Sequence, residues 1–155
     1  MQQAYQDVVQ FQTYCGKLDS VADKTALLQQ AMLIVEEANE LYDAIMDEQG
    51  GEQILKETCD NLVVLFGMVA MLQRSGYRVT EAMKAVCDNN MSKFSTTQTD
   101  GAYTLAAYEA TELGFFTLKQ VDFNKWGVFD NNDKLRKPIG YTKCSVQQFI
   151  PQGGM

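Results

Sequence analysis

The acidic residues of one short stretch carry the clearest chemistry in this chain. Glu36-Glu37-Ala38-Asn39-Glu40 is followed, after sixteen intervening residues, by Glu57-Thr58-Cys59-Asp60. In each half two carboxylates stand three residues apart, so Glu37 with Glu40, and Glu57 with Asp60, point from one face of a helix. Two such helices packed antiparallel bring four carboxylates around one small volume. Four anions so placed repel one another unless cations sit between them. Hard divalent ions with oxygen ligands, Mg²⁺ or Mn²⁺, suit that arrangement.

The elements that must position these acids are legible from periodicity. A helix is predicted from about Thr25 to Gln49, with Leu28, Ala31, Val35, Ala38, Tyr42, Ile45 and Met46 at helical spacing and Gly50-Gly51 as its stop. Glu36, Asp43 and Asp47 lie opposite the apolar face and read as a solvated stripe. Glu37 falls beside Leu41 and Ala44 at the edge of that face, and the wheel leaves the exposure of Glu40 undecided. The next helix, about Glu52 to Arg74, closes on Ser75-Gly76. Its Leu62 to Leu72 run is apolar all round, which predicts burial on every side, in a chain this short against another subunit. Glu57 and Asp60 share their direction with Val64, Met68 and Met71. Bare carboxylates buried there cost several kcal/mol unless they are paired or bind metal, so a plain surface stripe explains them poorly.

A third helix is expected from Thr80, as its cap, to about Phe94. Its apolar stripe is Met83, Val86, Cys87 and Phe94, with Asn90 in the middle and Lys93 at the flank, while Asn89 and Ser92 face away. An inward amide and ammonium suit a phosphate or a sugar. A satisfied core Asn beside a snorkelling Lys is the competing reading. Before these helices, about Tyr5 to Tyr14 forms a short amphipathic segment with Val8, Val9 and Phe11 toward the core, and Asp19 to Asp23 connects. After them, Ser95 to Gly101 reads as a polar linker, about Ala102 to Glu112 as a weak helix, and Phe115–Val121 with Lys125–Phe129 as short strands. Asp130 to Asp133 is turn chemistry. The expected fold is all-α, an antiparallel helical bundle over 1–98, with a C-terminal extension over 99–155 of helix, β-hairpin and Lys-rich tail.

Composition narrows the function. At 155 residues and 46% apolar the chain has a folded core of one domain's size. A net charge of −7 argues against nucleic acid and against anionic membrane as partners. The longest apolar run is too short for a bilayer. The stretch Met1 to Asp7 lacks the basic and apolar regions of a signal peptide. Four scattered cysteines with no CxxC pair read as reduced thiols in a cytoplasmic protein, mostly packing residues. The chain has no histidine, which excludes His-based triads, His general bases and the usual zinc sites.

Glu36-Glu37-x-x-Glu40 with Glu57-x-x-Asp60 resembles the EExxE…ExxD signature of the all-α nucleoside triphosphate pyrophosphohydrolase superfamily, which includes MazG proteins, dimeric dUTPases, dCTP pyrophosphatases and phosphoribosyl-ATP pyrophosphohydrolases. Asn90-Met91-Ser92-Lys93 is similar to the NMSK segment of its phosphoribosyl-ATP pyrophosphohydrolase-like and phage MazG-like branch, and Asp133 to Tyr141 to that branch's Lys-rich closing stretch. The likeness runs from the first helix to this tail, interrupted over roughly 95–132. In the tail, Asn132 and Asp133 depart from the usual Asp and Gly. The resemblance implies that Glu37, Glu40, Glu57 and Asp60 ligate Mg²⁺ or Mn²⁺. Asn90 and Lys93 then touch the nucleotide, and Lys137 and Tyr141 close over its phosphates. Glu36, pointing outward, supports the ligands, and Asn61 orients water.

The implied reaction turns a nucleoside triphosphate, a dNTP or a modified NTP, and water into the monophosphate and pyrophosphate, as nucleotide-pool housekeeping. Metal ions are expected to bridge the phosphates and to lower the pKa of a water that attacks the α-phosphorus, with Glu37 or Glu40 taking its proton. Phe11, Tyr14 and Tyr42 are expected to select the base, and a homodimer or tetramer to supply the missing cover. Two other readings stand beside this one: phosphoribosyl-ATP hydrolysis, and a non-catalytic acidic module that binds metal or a partner.

Overall fold

A computed structural model describes residues 1–153. The chain is mostly helical, with one small antiparallel sheet near its C-terminus. The helices are α1 (Gln2–Tyr14), α2 (Lys24–Met46), α3 (Gly51–Arg74), α4 (Val79–Met91) and α5 (Gln98–Thr111), followed by β1 (Thr117–Asp122) and β2 (Lys125–Phe129). None of the described helices is long and apolar enough to cross a membrane. Two compact units are formed. One takes Met1–Val79 and the stretch from Phe149, the other Thr80–Gln148.

In the first unit α2 packs along α3, and α1 also leans on α3. Asp23 opens α2 by accepting the Ala26 amide at 2.8 Å, and Gly50, at φ +94°, turns the chain into α3. The buried and half-buried side chains of α2 include Leu27, Gln30, Ile34, Glu37, Leu41 and Ala44, spaced alternately by three and four. The stripe predicted to face the core lies one position further along. Leu28, Val35, Tyr42, Ile45 and Met46, with Met32, are exposed. This helix is apolar on two faces and α3 covers one of them. Helix α3 also leaves apolar side chains uncovered. Leu55, Val63 and Leu65 are exposed, so within the single chain it is not buried on every side.

In α1 Val8 is buried and Val9 half-buried as expected, but Phe11 is exposed and Gln12 is buried in its place. The reason is a polar crossing of three helices at Gly67. Gln30 on α2, 2% exposed, donates its amide to the Val64 carbonyl at 2.8 Å and accepts from Lys17 at 3.3 Å. A Cβ on Gly67 would stand 2.7 Å from Gln12 Nε2 and 2.8 Å from Gln30 Nε2. Gly67→Ala is therefore expected to lower stability. Alanine gains about 1 kcal/mol of helix propensity, but overpacking a filled site typically costs about 1–3 kcal/mol. A urea midpoint at or above wild type would show that the two amides move aside freely.

The second unit is built on the hairpin. β1 and β2 pair from Thr117 with Phe129 to Asp122 with Lys125, with a bulge between Gln120 and Asp122. Ser95 and Leu135 extend it as single bridges to Trp126 and Phe129. Gly101 of α5 lies on the sheet, where an added Cβ would meet Leu118 Cδ1 at 2.6 Å. The polar run before α5 is shorter than a linker. Thr97 caps the helix, its Oγ1 accepting the Asp100 amide at 3.1 Å, so α5 begins at Gln98. α4 starts at Val79, with Thr80 already inside it, and ends at Met91. All four cysteines are free, and Cys15, Cys59 and Cys87 are exposed rather than packed.

Candidate metal centre

Opposite pairing along α2 and α3 brings the two acidic motifs together. Gln30 meets Val64, while seven residues on Glu37 meets Glu57, seven residues back, so the helices run in opposite directions. One carboxylate oxygen each from Glu37, Glu40 and Glu57 can lie within 4.8 Å of one another. Glu57 is 2% exposed, Glu37 is half-buried and Glu40 is exposed. Glu36 is exposed, as its outward direction predicted.

The partners of Glu57 are uneven. Its Oε1 accepts from Gln53 Nε2 at 2.5 Å and from Lys56 Nζ at 3.0 Å, whereas its buried Oε2 has no partner. A desolvated carboxylate oxygen with no partner is costly. Asn61 Nδ2, four residues on, is likewise buried without a partner. Burial pushes the Glu37 carboxyl above its usual range, and the charges of Glu40, Asp60, Glu57 and Glu36 add to the effect.

Asp60 lies outside the closest set of three, although its charge reaches Glu37. Its Oδ2 is bound by Lys56 at 2.8 Å and its side chain remains 39% exposed. Sequence reasoning passed over Lys56. The signal was available: a lysine directly before one acid and four before the next can touch both.

The remaining expected site residues belong to the second unit. On α4 the directions expected for Asn89 and Asn90 are reversed, while Lys93 is half-buried. Asn90 is exposed, its Oδ1 bound only to Lys93 Nζ at 2.8 Å, and Asn89 is the half-buried residue. Asn89 Oδ1 accepts the Tyr141 hydroxyl at 2.5 Å and the Cys144 amide at 3.2 Å, and its Nδ2 donates to the Thr142 carbonyl at 2.8 Å. Met83, Val86 and Cys87, the stripe expected to mark the inward side of α4, are exposed. What turns this end of α4 is the tail that Asn89 gathers.

Asn89→Ala leaves a hydroxyl, an amide and a carbonyl without a protein partner. It is expected to cost about 1–3 kcal/mol and to speed hydrogen exchange over 141–144. Asn90→Ala is expected to stay within about 0.5 kcal/mol of wild type. Equal effects would cancel the distinction between the two.

Lys137 is exposed, its Nζ 5.2 Å from the Tyr141 ring centre, and its carbonyl accepts the Tyr108 hydroxyl at 2.9 Å. Both residues line a cavity of about 300 Å³ with Tyr108, Thr111 and Ile139. Arg136 is committed elsewhere, to Glu112 at 2.5 Å and Asp130 at 3.5 Å. Of the aromatic residues expected to read a base, Phe11, Tyr14 and Tyr42 are all exposed. Compared with family models, curated proteins and solved structures, the chain matches none.

Proposed function

We propose that this protein is a divalent-metal-dependent hydrolase that splits nucleoside triphosphates, dNTPs or modified NTPs, into monophosphate and pyrophosphate. One observation carries the metal centre: the partnerless, buried Oε2 of Glu57 in a residue that converges with Glu37 and Glu40. The donor set is all oxygen, which fits Mg²⁺ or Mn²⁺. A divalent ion held there supplies positive charge to a polyphosphate and makes a bound water more acidic. The substrate class rests on the likeness of the two acidic motifs and the NMSK segment to the all-α pyrophosphohydrolases, and with it the helical-bundle assignment.

The chain's own groups divide the work by environment. Glu57, buried, is the fixed anion. Glu37, with its raised proton affinity, is suited to receive the proton of an attacking water, and exposed Glu40 can follow the ligand. Asp60 joins them as the fourth ligand once it leaves Lys56. Asn90, Lys93, Lys137 and Tyr141 are the residues proposed to bind nucleotide. The uncovered stripe Leu28, Met32, Val35, Tyr42 and Ile45 is proposed to pack against a second copy.

Products resolved by anion exchange from a panel of NTPs test the reading. Pyrophosphate with monophosphate, formed with Mg²⁺ and absent with EDTA, is the expected result. Orthophosphate with diphosphate, or no turnover of any nucleotide, refutes it. A non-catalytic metal- or partner-binding module is favoured by one feature: Lys56 already neutralises part of the cluster. That reading predicts Mn²⁺ binding without release of pyrophosphate.

A further inference from the structure

Lys56 stands beside the site with an unusual assignment. Its Nζ lies 3.0 Å from Glu57 Oε1 and 2.8 Å from Asp60 Oδ2, bridging acids that belong to the two ends of one motif. Support of the helix explains this poorly, because a lysine four residues before an acid is the weaker orientation of such a pair. A lysine ammonium is cationic at neutral pH without any help from its neighbours. Its side chain is 59% exposed, and nothing buried must move for it to swing away. Glu57 Oε1 thus has two donors while Oε2 has none.

The distances set up a competition. An ammonium holds carboxylate oxygens at 2.8–3.0 Å here, whereas Mg²⁺ demands them at about 2.0–2.1 Å in a near-octahedral shell. A dication taken up at the free Oε2 of Glu57 and at Asp60 shares both carboxylates with the ammonium, so the two cations repel one another at close range and compete for the same negative charge. A lysine released there carries a strongly hydrated point charge on a flexible stem, at the rim of a site built for cations.

We propose that Lys56 is the resident counter-ion of the carboxylate cluster: it holds Glu57 and Asp60 until a divalent cation displaces it, and it then faces the polyanionic substrate. The inference rests on the metal-binding reading above. It makes Lys56 a positioning residue that weakens the site for free metal and strengthens it for metal carried with polyphosphate.

Lys56→Met keeps the apolar stem and removes the charge. Mn²⁺ binding is followed by electron paramagnetic resonance of the free ion, without nucleotide. Binding of tripolyphosphate with Mg²⁺ is followed by calorimetry. Mn²⁺ is expected to bind the variant at least about threefold more tightly, and Mg²⁺-tripolyphosphate at least about fivefold more weakly. Lys56→Arg should resemble wild type in both. A merely structural lysine would weaken both when lost.

Wild-type Mn²⁺ binding that the variant equals or fails to reach overturns the counter-ion and leaves the metal centre standing. Absence of Mn²⁺ binding by either protein overturns both. Tighter Mn²⁺ with unchanged tripolyphosphate supports the counter-ion and overturns the hand-over to substrate. If Lys56→Met does not fold, Lys56→Gln carries the same comparison.

Discussion

Glu57→Gln is expected to abolish metal binding and turnover while leaving the metal-free protein as stable as wild type or more so. Glu57 is 2% exposed and its oxygens meet different company: Gln53 and Lys56 at Oε1, nothing at Oε2. The isosteric amide can keep its carbonyl oxygen toward Gln53 and Lys56. Its new Nε2 then takes the place of the orphaned oxygen, in a cluster rich in acceptors. The substitution removes one buried negative charge and relieves the repulsion on Glu37. For catalysis the same change takes away a ligand. Loss of a group that merely orients a ligand typically costs 10–100-fold, so direct loss should cost at least about a hundredfold in kcat. Mn²⁺ titration, single-turnover kinetics and a urea midpoint in EDTA measure the parts separately. A kcat near wild type at saturating Mg²⁺ would sink Glu57 as a ligand.

The second large effect is on pH dependence, and its sign is unusual for a carboxylate. Most folded carboxylates have a lowered pKa, and the stability they contribute is lost as pH falls. Glu37 is shifted upward, by burial first and then by Glu40, Asp60, Glu57 and Glu36. Between its unfolded and folded values the native state binds more protons than the unfolded chain. Metal-free stability from this group is therefore highest below the unfolded value and declines as pH rises through the folded one. Metal binding reverses the trend, because the ion requires the deprotonated carboxylate. Below the raised pKa the apparent affinity should fall about tenfold per pH unit for each proton displaced. Thermal unfolding against pH, in EDTA and in saturating Mn²⁺, is expected to slope in opposite directions. Glu37→Gln isolates the contribution of this group by difference. Parallel slopes for the variant and wild type in EDTA would remove Glu37 as the strained acid.

Much of this was legible in the residues themselves. Period and stop signals located α2, α3 and the hairpin within a few positions, and of the four i, i+3 acids expected around one volume Glu37, Glu40 and Glu57 converge while Asp60 stays outside with Lys56. What a helical wheel cannot say is which of two apolar faces finds a partner. On α2 it favoured the richer stripe through Leu28 and Val35, whereas α3 covers the one through Gln30 and Glu37. That seam looked polar because Gln30 and Glu37 lie in it: Gln30 bonds the Val64 carbonyl across it, and Glu37 faces Glu57. The same limit reversed Asn89 and Asn90, where the anchor is a tail some fifty residues away, and it exchanged Phe11 for Gln12. Lys56 escaped notice for a different reason: a lysine among acids reads as surface charge until its reach is measured.

The seam of α2 also decides how finely the acids can be aligned. Two apolar helices can slide past one another by a turn at little cost, since one aliphatic contact replaces another. A polar group at a seam position forbids this, because a shifted partner leaves it unbonded and dry. Gln30 is such a group, tied to the Val64 carbonyl and wedged against the bare backbone of Gly67. It stands seven residues, about 10 Å, from Glu37 on the same seam. The glutamine thus serves as a vernier for chemistry it never touches: it sets the axial phase of α2 on α3, and with it the meeting of Glu37 and Glu57.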